Sequence, residues 1–227
     1  MTVRTVPDAD VDLPPPDRGL AVLHLEPALV VLVKPPGLLS EPGRGPDKRD
    51  SLLTRAQAQY PDARIVHRLD MPTSGVIVLA RETRAHAALS AAFRERAVDK
   101  RYEALVHGRP ALDEGEIDLP LTVDWPNRPR QVVCHATGKP SLTHYRVVGT
   151  AHVDGVGTLT RIALAPVTGR THQLRVHLAA LGCPIAGDPF YGPAGDGAPR
   201  MMLHARELRF AHPLTGAPLA YVSPVPF

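Results

Sequence analysis

The chain of 227 residues is long enough to bury a sizeable core, as one large domain or two small ones. Net charge is +3, but four Asp and two Arg fall in residues 1–18, which leaves +5 on the body, and 22 of the 26 basic side chains are Arg. No apolar stretch nears the roughly 20 residues of a spanning helix, and the N-terminus lacks a secretion pattern, so the expected compartment is the cytosol. Arg suits forked phosphate contacts and stacking on bases, although a GC-rich genome would favour Arg, Ala and Pro alike. Cys134 and Cys183 are far apart and belong to no CxxC pair, which suggests neither a disulfide framework nor a zinc site.

Residues 1–18, with the run Pro14 to Pro16 and scattered Asp, lack apolar periodicity and read as a flexible tail, so the folded body, 19–227, is expected to be one domain. Strands are predicted at 20–25, 29–34, 75–80, 100–107, 143–149, 157–165, 203–210 and 218–222, where Val, Ile and Leu alternate or cluster. Asp50 or Ser51 can cap a helix that runs to Tyr60 and stops before Pro61. A second helix, about Thr83 to Ala97, gathers Ala85, Ala88, Leu89, Ala92 and Phe93 on one face, and a third follows Gly169 and ends at Gly182. Strand follows strand too often for a βαβ repeat. The fold class is therefore α+β, a mixed, largely antiparallel sheet with flanking helices.

Three loops concentrate charge. HRLDMPTSG, residues 67–75, sets Asp70 behind His67 and Arg68 in a turn-rich loop that feeds a strand. PVTGRTHQLRVHLAALG, residues 166–182, puts Arg170 just before a helix start, where free N–H groups favour an anion. KPPGLLSEPGRG, residues 34–45, carries Lys34 and Arg44. Each taken alone has an ordinary reading: a capped turn, a helix start with a solvated Arg, and a Pro/Gly loop.

Together with KRYEALVHG, GRTHQLRVHLAALGCPIAGDPFYG and MLHARELRF, these motifs occur in an order and spacing that resemble the RluA family of pseudouridine synthases over roughly residues 20–225. DLPLTVDWPNRPRQVVCHATGKPSLTHY, residues 118–145, is similar to the branch of that family that modifies both tRNA and 23S rRNA and lacks an S4 domain. The resemblance implies the pseudouridine synthase fold with a basic catalytic cleft, no cofactor and no metal. It also implies RNA partners, namely the tRNA anticodon stem-loop with its uridine 32 and the 23S rRNA loop with uridine 746. No membrane association is implied, and a monomer is expected.

By the same resemblance Asp70 matches the catalytic aspartate, Tyr102 the active-site tyrosine that stacks on uracil, and Arg170 the cation that keeps Asp70 ionised. Arg68 matches a wedge that fills the gap left when the uridine flips out of its stack. Leu174 is expected to line the uracil pocket, and Lys34 and Arg44 to contact substrate. His67 is expected beside the substrate too, supporting the Asp70 loop by hydrogen bonding.

Metal binding is disfavoured by spacing, since His172 and His177 lie five apart, about 140° around a helix. Two rival functions are in play. A retaining glycosidase needs a second carboxylate about 5 Å from the first, and the Arg-rich motifs supply none. A silent RNA-binding module would be weakened by an Asp placed where phosphates approach.

Overall fold

The computed structural model describes residues 3–5, 19–45 and 48–227. The chain divides into two compact units, one built from the chain up to Lys100 with His204–Phe227, the other from Arg101–Leu203. The chain leaves the first unit after Lys100 and re-enters it at His204.

In the first unit β1 (Val3–Thr5), β2 (Ala21–Leu25), β3 (Leu29–Lys34), α1 (Leu52–Gln59), β4 (Arg64–Ile65), β5 (Ser74–Ala80) and α2 (Thr83–Arg94) come in order. The chain then passes through β6 (Asp99–Val106) into the second unit. There it forms β7 (Glu114–Asp118), β8 (Leu121–Val123), β9 (Gln131–Val133), β10 (Leu142–Val153), β11 (Gly157–Pro166) and α3 (Gln173–Ala180). It closes with β12 (Leu203–Ala211) and β13 (Pro218–Val222). The α+β expectation holds: all eight predicted strands and all three predicted helices are present, and most pairings are antiparallel.

Every residue of β3 and of β5 is buried, which is why LVVLVK and SGVIVLA read as continuous runs rather than alternating ones: both faces of these strands are covered. β5 lies beside β3 in antiparallel register and beside β12 in parallel register, and β13 extends the sheet from β12. Ala85 and Leu89 of α2 pack with Val31, Val76, Val78, Phe210 and Tyr221 on this sheet, each large apolar side chain contributing about 1.5–3 kcal/mol. Ser51, not Asp50, caps α1: its Oγ accepts from the Thr54 N–H at 3.1 Å while Thr54 Oγ1 accepts from the Ser51 N–H at 2.9 Å. Asp50 instead pairs with Arg55. Within residues 1–18, read as a tail, Val3–Thr5 adds a parallel strand to the edge of β13, and the rest of that segment lies outside the described residues.

The second unit is an antiparallel run β6-β11-β10-β7 with α3, plus a separate hairpin of β8 and β9. That hairpin falls in the Pro-rich stretch where no strand is predicted. α3 begins at Gln173, later than the Gly169 boundary suggests, because His172 sits in the left-handed region at φ 54 and forms a turn before the helix.

Candidate active site

Asp70 sits in a loop gripped on both sides by the KPPG segment. Before it, the buried Leu69 is bonded twice by one hydroxyl: Leu69 N–H donates to Ser40 Oγ at 3.0 Å and Ser40 Oγ donates to Leu69 O at 2.7 Å. After it, Met71 O accepts from Gly37 N–H at 2.9 Å and from Lys34 Nζ at 3.0 Å. The turn closes when Thr73 N–H donates to Asp70 O at 3.0 Å. Beyond that, Ser74 Oγ and His204 Nδ1 lie 2.8 Å apart in the core. Gly75 has φ +119, and a Cβ there would run into the Ala205 backbone, so the TSG triplet lets β5 press against β12. The backbone on either side of Asp70 is thereby pinned.

Two of the residues expected at the substrate, Lys34 and His67, are engaged within the fold. Lys34 is fully buried, and its three N–H groups go to Pro35 O at 2.8 Å, Leu38 O at 2.7 Å and Met71 O. It clamps the Asp70 loop, all three of its N–H groups being spent on interior carbonyls. His67 is likewise used within the fold: Nε2 accepts from Val78 N–H at 3.1 Å, and the ring stacks on Phe93 at 4.2 Å. Burial, and then the nearby Lys100 charge, push its pKa down to about 3, so the ring is a neutral acceptor.

The two other cations expected at the substrate from this unit, Arg68 and Arg44, lie at the surface. Arg68 is 62% exposed and pairs with Glu41 at 2.7 Å. Arg44 is exposed as well.

The other candidates belong to the second unit. Tyr102 is half-buried in β6, opposite Leu164 of β11. Arg170 precedes α3, where its N–H donates to Gln173 Oε1 at 3.0 Å and its Nε to Pro140 O at 3.3 Å. Gln173 also accepts from Thr168 Oγ1 at 2.7 Å and donates to Leu142 O and Thr143 Oγ1, both at 3.0 Å, so it ties the Arg170 turn to β10. Sequence reasoning missed Gln173. Leu174 is 7% exposed, as core packing and pocket lining both require.

Arg175 and Asp188 form a fully buried forked pair at 2.7 and 2.8 Å, and Asp188 Oδ1 also accepts from the Phe190 and Tyr191 N–H groups. The guanidinium lies 5.3 Å from the Phe190 ring and 5.1 Å from that of Tyr191. This is how GDPFYG is fastened to α3, and it removes one Arg from the basic surface. His177 contacts Thr143 Oγ1 at 3.0 Å and Leu119 O at 3.1 Å, and His172 contacts the Tyr191 hydroxyl at 2.8 Å. Among the described residues no three His, Cys, Asp or Glu side chains come together as a metal site, and no helix is long and apolar enough to cross a membrane.

Comparison with known proteins gives the chain a class. The family model described as RNA pseudouridylate synthase matches residues 28–180, from the start of β3 to the end of α3. The chain belongs to this family, whose members isomerise uridine to pseudouridine in RNA, and it is an enzyme of the RluA type that the motifs resemble. The dual-specificity RNA pseudouridine synthase RluA of Escherichia coli strain K12 is 49% identical over 216 residues, 94% of this chain and 97% of that protein. Its counterpart in Yersinia pestis is 50% identical over 204 residues, 89% of this chain and 97% of that protein. The structure of human RNA Pseudouridylate Synthase Domain Containing 1 matches with a TM-score of 0.77 at 29% identity, covering 98% of this chain and 87% of that one.

Proposed function

We propose that the enzyme acts on two RNA loops, isomerising uridine 32 of the tRNA anticodon loop and uridine 746 of 23S rRNA, in the cytoplasm and as a monomer. The observation that carries this reading is the likeness, over nearly the whole chain, to curated enzymes named for dual specificity.

In the proposed chemistry Asp70 supplies the carboxylate. The bond between C1′ and N1 of the uridine breaks, the uracil turns, C1′ rejoins at C5, and the C5 hydrogen leaves as a proton while N1 is reprotonated. Redox state is unchanged, so no cofactor is needed. Tyr102 stacks on the uracil, Leu174 lines its pocket, and Arg170 supplies the positive charge. Arg68 fills the stack vacated by the flipped base, and Arg44 meets the RNA backbone. What supports Asp70 is its clamp: a group that must meet a flipped nucleotide within a fraction of an ångström gains from a loop fixed at Leu69 and Met71.

The target assignment is tested by mapping pseudouridines in total RNA from a strain lacking the gene, then restoring the wild-type chain or Asp70→Asn. Loss at both loops, restored by the wild type alone, is the expected result. Loss confined to other uridines would overturn the targets and leave the chemistry standing.

A further inference from the structure

The β8–β9 hairpin has an unusual tip. Trp125, Pro126, Asn127, Arg128, Pro129 and Arg130 are all exposed, and Trp125, the sole tryptophan of the chain, is 65% exposed. An indole left this open in water is uncommon unless something covers it. The tip is nevertheless ordered. Asp124 N–H donates to Arg130 O at 2.9 Å, Arg130 N–H to Asn127 O at 3.0 Å, and Asn127 Nδ2 to Asp124 Oδ2 at 2.9 Å. Arg128 donates through Nε to Trp125 O at 3.1 Å, and its guanidinium lies 4.7 Å from the indole centroid. Arg130 in turn lies 5.5 Å from the Tyr191 ring. Two cations and an indole are thus presented together on a preformed turn.

The hairpin is joined to the Arg170 turn both beside its tip and at its foot. Gln131 N–H donates to the Tyr191 hydroxyl at 2.7 Å, and that hydroxyl contacts His172 Nδ1 at 2.8 Å, two residues from Arg170. Lys139 and Leu121 exchange backbone bonds at the hairpin's foot, and the next carbonyl, Pro140 O, accepts from Arg170 Nε. Four extended residues from Leu121 reach about 14 Å, so the tip stands roughly that far along the chain from the foot.

We propose that this tip is a second RNA-binding element of the enzyme, Trp125 stacking on an unpaired base of the substrate loop while Arg128 and Arg130 neutralise neighbouring phosphates. An RNA loop supplies what the tip requires: an aromatic face for the indole and anionic oxygens for two guanidiniums, whereas an apolar protein partner would leave both cations buried. Prolines on either side of Asn127 and Arg128 limit the ordering that binding demands. The element selects loops over duplex, because a paired base offers no open face. The inference rests on the RNA reading above and deepens it.

The experiment uses the full-length chain and a tRNA anticodon stem-loop carrying tritium at uridine C5, with the fully paired stem as control. Because Trp125 is the only indole, its fluorescence reports the contact directly. Titration of the stem-loop quenches it at the same midpoint as filter binding, and the duplex does not. Trp125→Ala raises KM about 5- to 30-fold with kcat within about twofold, and Trp125→Phe recovers most of the loss. Arg128→Ala lowers the slope of log affinity against log salt by about one. If the wild type turns the stem-loop over while its fluorescence is unmoved and Trp125→Ala keeps its KM, the hairpin assignment is overturned and the enzyme's reading survives. If the wild type releases no tritium from the stem-loop or from the 23S rRNA loop, the reading beneath it fails instead.

Discussion

Replacing Lys34 with Met separates its two readings, a clamp for the Asp70 loop and a contact for phosphate. The substitution keeps the length and apolar stem of the side chain but removes three donors. Met71 O retains the Gly37 N–H, so the loss falls chiefly on Pro35 O and Leu38 O, each of which held the ammonium at under 3 Å. A buried carbonyl deprived of a charged donor costs about 1–3 kcal/mol, and relief from burying the ammonium offsets part of the sum, giving roughly 2–4 kcal/mol net. For a chain of this size the thermal midpoint drops by roughly 5–15 °C. The loop that carries Asp70 loosens with it, and a displacement near 1 Å lowers turnover by on the order of 100-fold. RNA affinity stays within about threefold, since no phosphate contact is lost. Thermal unfolding, single-turnover tritium release and filter binding on the same preparation give all three numbers. Wild-type turnover with weakened binding and a shallower salt dependence would refute the clamp and restore Lys34 as a phosphate ligand.

Gly75→Ala drives a Cβ into the Ala205 backbone at a φ that side chains avoid, so it destabilises the first unit by more than about 3 kcal/mol, read from the urea midpoint; a loss below about 1 kcal/mol would mean β5 and β12 can part. His67 stays neutral in the folded protein down to about 3, whereas the unfolded chain takes the proton below about 6.5, so stability attributable to this ring is intact above pH 6.5 and lost as pH falls toward 3. His67→Gln therefore flattens the urea midpoint against pH between about 6.5 and 4, and an unchanged slope would place the acid sensitivity elsewhere.

How much of this was legible in the sequence follows from which forces fixed each part. β3 and β5 were readable because burial on both faces demands unbroken runs of Val, Ile and Leu. α1 was readable because Ser51 caps it through bonds within its own first turn. β8 and β9 were not, since three-residue strands flanked by proline owe their form to distant partners, Tyr191 on Gln131 and Lys139 on Leu121. Asp70 stands out through the HRLD and TSG motifs, but its clamp is hidden because the lysine of KPPG suggests a substrate contact by charge alone. The signal that could have exposed it is position: Lys34 ends a six-residue buried strand. Arg175 lies similarly between Leu174 and Val176 in the buried run 173–178 of α3, and only GDPFYG, 12 residues later, hints at its partner.

That Asp70 is the carboxylate of a uridine isomerase is decided by Asp70→Asn in single-turnover tritium release from a C5-labelled anticodon stem-loop. The change keeps size and shape, so RNA affinity and thermal midpoint remain near those of the wild type. Tritium release should fall below detection, with no pseudouridine in the digested product. Release at a rate near that of the wild type, with binding intact, would contradict the assignment.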